Sequence, residues 1–177
     1  NGKDITNEPL HVRAKFGLGY LPQESSIFSD LSVENNLLGI VELSAIGSQE
    51  ASKIVTKLIE DFDLGKILNV KGRMLSGGQR RKVEIARTLI SSPNLILLDE
   101  PFAGIDPIAV EEIKELLKEI SKKDISILIT DHNVRETLSL CDRAIILVDG
   151  NIIADGTEKQ LKENEYVGQK YFGKMFS

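Results

Sequence analysis

The chain passes from helical periodicity to short, continuous apolar runs. Residues 33–43 read as a helix. So do residues 48–62, where Ile54, Val55, Leu58, Ile59 and Phe62 fall on one stripe. Ser76 is a good N-cap for a helix reaching about Ile90, with Val83, Ala86 and Ile90 at helical spacing. Residues 16–21 predict a short buried strand that Pro22 stops. Residues 95–98, all Leu or Ile, predict a strand buried on both faces. Pro107 is favoured at a first helical position, and the helix it opens turns Ile113, Leu116, Leu117 and Ile120 inward. Glu111/Lys114 and Glu115/Lys118 then fall three apart on its outer side. Residues 125–129 and 144–148 predict two more strands, with a helix over 133–140 between them. Asp149-Gly150 predicts a hairpin turn joining the last strand to residues 152–154. The tail after Thr157 predicts one or two short helices.

Strand–helix–strand–helix–strand implies an α/β fold, a parallel sheet with right-handed crossovers and helices on its faces. Residues 24–91 are nearly all helical and break that alternation, so they are expected to form an inserted helical lobe. The core is then built from residues 1–23 and 92–177. No repeat of fixed period and no low-complexity tract is visible.

Composition narrows the function classes. At 177 residues the chain is long enough for one domain with a lobe, and 41% hydrophobic with 28% charged residues argues against disorder. A net charge of −5 makes non-specific nucleic-acid binding a poor expectation. No apolar run approaches the roughly 18 residues of a spanning helix. The single Cys141 excludes an internal disulfide and a cysteine-based zinc site, and suits a reducing compartment. The first residue is Asn1 rather than Met.

Two short stretches carry chemistry. In Leu98-Asp99-Glu100-Pro101, two carboxylates stand where a buried parallel strand ends. Open α/β sheets bind ligands at such ends, and Mg²⁺ takes one or two carboxylates with phosphate oxygens and water. A solvated strand-to-loop turn would read the same way. In Leu75-Ser-Gly-Gly-Gln79, a glycine-rich segment opens a helix, whose free N–H groups and partial positive charge suit a phosphate. A plain capped helix is the competing reading. The basic residues that follow, Arg80, Arg81, Lys82 and Arg87, read equally as a solvated face. The combination is more specific, because Asp99 comes 23 residues after Ser76 with one helix between.

Together the motifs resemble an ABC-type ATPase. Leu75–Gln79 is similar to the signature motif, residues 95–100 to the Walker B strand, Asp106 to the D-loop, His132 to the switch histidine and Gln23 to the Q-loop. The order and spacing match over essentially the whole chain, least well at residues 39–68. Residues 19–24, 101–107 and 130–137 are most similar to ATP-binding subunits of lipopolysaccharide export. The ATPase of branched-chain amino-acid importers is the next nearest, sharing Cys141-Asp-Arg143 and the pair Gly150 and Gly156. The resemblance implies a partial RecA-like (P-loop NTPase) core plus an α-helical signature subdomain. It implies ATP and Mg²⁺ as cofactors, with Asp99 and Gln23 toward the metal. Glu100 would be the general base, His132 would contact the γ-phosphate and Gln23 would touch metal or water. Ser76, Gly77, Gly78, Gln79 and Asp106 would serve ATP held by a second subunit in a head-to-tail dimer. Transmembrane subunits would dock on residues 24–91, placing the protein at the inner face of the cell membrane. Phe102 and Ile105 are candidates for the dimer seam. His11 is expected on a surface loop.

No G-x-x-x-x-G-K-[ST] loop occurs in the 177 residues. The family places that loop upstream of the region where Asn1 falls, so the expectation is a truncated cassette, inactive alone. Two other readings stay open: a non-transport cassette acting on nucleic acid, disfavoured by the acidic charge, and a non-catalytic binding module.

Overall fold

The computed structural model describes residues 2–44, 47–164 and 167. In chain order the elements are α1 (Leu10–Lys15), β1 (Leu18–Leu21), α2 (Val33–Leu43), α3 (Ser48–Asp61), α4 (Gly77–Leu89), β2 (Leu95–Asp99), α5 (Pro107–Ser121), β3 (Ser126–Thr130), α6 (Val134–Leu140), β4 (Ala144–Val148), β5 (Asn151–Gly156) and α7 (Glu158–Glu163). Single turns of 3₁₀ helix cover Gly65–Ile67 and Gly72–Met74. Two compact units result, Asn1–Asp131 and His132–Ser177.

In the first unit β1, β2 and β3 lie side by side, all parallel. Leu21 pairs with Leu98, Leu98 with Ile129 and Asp99 with Thr130, so the three strands end at one rim. One face carries the buried Leu21, Ile96 and Leu98. Gly19 lies on that face because α4 comes too close for a side chain; a Cβ there would stand 2.7 Å from Thr88 Cγ2. The other face leaves Tyr20 and Leu128 43% and 55% exposed. Along α5, Ile113, Leu117 and Ile120 are buried as the periodicity predicts. Lys114 departs from the expected outer side. It is only 7% exposed, and its ammonium reaches Glu111 at 2.9 Å while its stem packs inward.

The second unit packs Leu138, Leu161 and Val167 against Val134, Ala144, Ile146 and Ala154. Residues 144–148 do form a strand, but not one of the parallel sheet. They pair antiparallel with β5 in a separate two-stranded sheet. The Asp149-Gly150 turn explains this, since both residues take positive φ, 47° and 76°. The tight reversal hands β4 a local partner. The predicted tail helix appears as α7, and the tail beyond residue 164 lies outside the described residues except for Val167. His11 is exposed as expected, but on α1 rather than in a loop.

Candidate functional site

The rim where β1, β2 and β3 end gathers three of the expected residues. Pro22 ends β1, and Gln23 follows it. Asp99 is the last residue of β2, with Glu100 one step beyond. The Gln23 Nε2 amide donates to Glu100 Oε2 at 2.7 Å, joining residues 77 apart in sequence. Thr130 Oγ1 donates to Asp99 Oδ1 at 2.5 Å. The two carboxylates are thus held by different neighbours rather than forming one undifferentiated acidic turn.

Glu100 takes φ +43°, a left-handed conformation that non-glycine residues adopt at a cost of ~1–3 kcal/mol. The backbone there is fastened at both ends. Its N–H donates to Thr130 O at 2.7 Å, and its carbonyl accepts from Arg81 Nη2 at 2.9 Å. Arg81 escaped the sequence reading, which left it in a basic run. Its side chain is buried, and Nε also donates to Pro101 O at 3.0 Å while Nη1 donates to Pro22 O at 3.1 Å. Burial pushes the guanidinium below its ordinary pKa, and the carboxylates of Glu84, Asp131 and Asp99 act in the opposite sense. Spacing held a clue: Arg81, Glu84 and Arg87 recur every three residues among the buried Val83, Ile85 and Ala86.

The tip of α4 is built differently. Ser76 caps the helix by accepting from Gln79 N at 3.2 Å, and Gln79 Oε1 accepts from Ser76 N at 3.1 Å. This reciprocal capping box satisfies two first-turn donors and leaves the N–H groups of Gly77 and Gly78 without intrahelical partners. Ser76, Gly77 and Gln79 are exposed. Gly78 is buried, for a reason within the chain. A Cβ on it would lie 2.4 Å from Ala109 Cβ, so the glycine lets α4 and α5 touch. Gly77 lies close to Gly104 O. Asp106 caps α5, its carboxylate accepting from Ala109 N at 3.0 Å. Phe102 is buried within its own chain, unlike the seam residue it was expected to be.

His132 opens the second unit, is exposed, and offers its carbonyl to Val134 N at 3.1 Å. Among the described residues no group of three His, Cys, Asp or Glu side chains could hold a metal ion. No helix among them is long and apolar enough to cross a membrane.

Residues 1–103 match the family model described as ABC transporter. The chain is 48% identical over 177 residues to the lipopolysaccharide export system ATP-binding protein LptB of Haemophilus influenzae, covering 99% of this chain and 73% of that one. It is 45% identical over 174 residues to the protein of the same name from Escherichia coli K12, covering 98% and 72%. Among solved structures, the ADP conformation of MJ1267, an ATP-binding cassette of an ABC transporter, superposes with a TM-score of 0.83. That match has 28% identity and covers 97% of this chain and 74% of the other. The chain therefore belongs to the ABC transporter family as an ATP-binding subunit.

Proposed function

We propose that this chain is the part of a lipopolysaccharide-export ATPase that positions the attacking water and closes the partner's nucleotide site. The observation that carries the proposal is the 2.7 Å contact between Gln23 and Glu100 at the ends of β1 and β2. The relatives named for lipopolysaccharide export support the cargo.

Phosphoryl transfer needs positioning and charge neutralisation more than covalent chemistry. Glu100 takes up the proton of the attacking water or orients it, a contribution of about 10²–10⁴-fold. Gln23, with its amide nitrogen committed to Glu100, turns its carbonyl oxygen to water or cation. Asp99 is the carboxylate turned to Mg²⁺, a cation that takes one or two carboxylates with nucleotide oxygens and water. The chemistry a bound Mg²⁺ supplies is neutralisation of phosphate charge. His132 steadies the γ-phosphate. The tip residues Ser76, Gly77, Gly78 and Gln79, with Asp106, face ATP held by a second protomer in a head-to-tail dimer. Residues 24–91 dock the transmembrane subunits, which keeps the protein at the inner face of the cell membrane.

These 177 residues contain no glycine-rich lysine loop to hold the β- and γ-phosphates, so by themselves they hydrolyse no measurable ATP. Robust hydrolysis by this chain alone would contradict that reading. The cargo is tested with a form that includes such a loop, assembled with its membrane subunits in vesicles. ATP-dependent release of lipopolysaccharide is expected; ATP-dependent movement of branched-chain amino acids instead would overturn it.

A further inference from the structure

We propose that Arg81 is a positioning residue for ATP hydrolysis, its buried guanidinium clamping the peptide before Gln23 to the peptide after Glu100. The inference rests on the reading of Glu100 given above and names what holds that side chain in place.

The hydrogen bonds close a ring. Arg81 Nη1 donates to Pro22 O, the carbonyl of the peptide that leads into Gln23. Gln23 donates to Glu100 through its side chain. The Glu100 carbonyl accepts from Arg81 Nη2, and the next carbonyl, that of Pro101, accepts from Nε. Both loops that carry the water-handling pair are therefore tied to one rigid planar group. Only a guanidinium offers donors in this fork, whereas an ammonium is a single point charge.

A generic buried ion pair does not account for this geometry. The contact of Arg81 with Glu84 is its longest, at 3.3 Å, and its three shorter bonds all go to loop carbonyls. Glu84 spends its other oxygen on the same loop, accepting from Ser25 Oγ at 2.7 Å and Ser26 N at 2.9 Å. The clamp also secures an unfavourable backbone. Glu100 stays at φ +43° only while its surroundings enforce it, and Arg81 holds its carbonyl. Because Arg81 stands on the same helix as Ser76–Gln79, each rim is registered to its own glycine tip.

The test uses the ATPase-competent dimer with its membrane subunits. Values of kcat and KM for ATP are measured for the parent, Glu100→Gln, Arg81→Lys, Gln23→Ala, the double variant Arg81→Lys/Gln23→Ala, and Lys122→Gln. Lys122, which follows α5, pairs with the exposed Glu119 at 2.6 Å and serves as control. Arg81→Lys is expected to lower kcat about tenfold or more, since misplacing reacting groups by an ångström can cost that much. KM should stay within about threefold. Gln23→Ala should lower kcat in the parent but add little to Arg81→Lys, because both break one ring. Lys122→Gln should match the parent. Should Arg81→Lys not fold, Arg81→Met/Glu84→Met, which removes both charges together, takes its place with the same expected loss. Parent-like kcat in the folded variant overturns the clamp. So does a rise in KM that accounts for the loss, full additivity with Gln23→Ala, or failure of both variants to fold, which would mark Arg81 as a stability residue. Parent-like turnover in Glu100→Gln would instead sink the reading of the rim on which the clamp depends.

Discussion

The rim of the parallel sheet and the tip of α4 are both loop-to-element junctions on the same unit, yet they are built by opposite means. At the rim, side chains are spent on one another: Gln23 on Glu100, Thr130 on Asp99, and Arg81 on three carbonyls. At the tip, side chains are spent on capping their own helix, and what points outward is backbone. A rim cross-linked by buried charge holds a geometry on which chemistry can depend. A tip that offers exposed N–H groups is shaped for an anion it does not itself carry. The contrast separates a rim whose Gln23 and Glu100 are held within the chain from a tip whose free donors face away from it.

The largest effect that would break the comparison is at the rim. Glu100→Gln in an ATPase-competent form should keep ATP binding and dimerisation while turnover falls about 10²–10⁴-fold, read by steady-state hydrolysis. Turnover close to the parent would remove Glu100 from the mechanism.

The next effect separates packing from ligand binding at the tip. Gly78→Ala places a methyl 2.4 Å from Ala109 Cβ and should destabilise the protein by about 1–3 kcal/mol, seen as a lower Tm without nucleotide. Adding Ala109→Gly should restore most of it. An unchanged Tm for Gly78→Ala would mean the close approach of α4 to α5 is wrong. Ser76→Ala should cost about 1 kcal/mol of unfolding free energy through loss of the cap, again without ligand. No loss would show that Gln79 N finds another acceptor.

The smallest expected effect lies in the second unit. Arg143 holds Asp155 across the β4–β5 hairpin, at 2.5 and 2.6 Å, and this hydrogen bonding keeps the exposed Asp155 carboxyl below its ordinary pKa. A lowered folded pKa stabilises above the unfolded value near 4 and is lost as pH falls through the folded one. Cooling in Tm between about pH 5 and pH 3 should therefore be slightly shallower in Asp155→Asn. Identical profiles would show that solvent screens the pair completely.

How far the sequence carried depended on the kind of signal. Residues 33–43 and the cap at Ser76 were legible to the residue, because periodicity and capping chemistry are local. The hairpin was legible as a turn, since Asp149-Gly150 dictates its own geometry, although its second arm runs Asn151–Gly156 rather than over 152–154 alone. Sheet membership of residues 144–148 was not. Five apolar residues read alike as a sheet's inner strand or as a hairpin arm, and Ile145 and Leu147 are in fact exposed. Gln23, Asp99 and Glu100 were legible as candidates through motif resemblance, but their hydrogen bonds were not. Arg81 was hidden for a physical reason. A basic run is ordinarily a solvated face, and only the fold shows one of its three members 5% exposed against carbonyls 19, 20 and 59 residues away. Lys114 was hidden the same way, since its charge reaches Glu111 while its stem is buried.

The most direct test of a rim and tip that meet across two molecules is mixed dimers of the ATPase-competent form. In one, Glu100→Gln sits on one protomer and Ser76→Arg on its partner. In the other, both substitutions sit on one protomer opposite an unaltered one. If each site joins one protomer's rim to the other's tip, the first arrangement leaves one site intact and retains about half the parent hydrolysis. The second arrangement damages both sites and falls to the level of the Glu100→Gln dimer. Equal hydrolysis by the two arrangements would contradict the account.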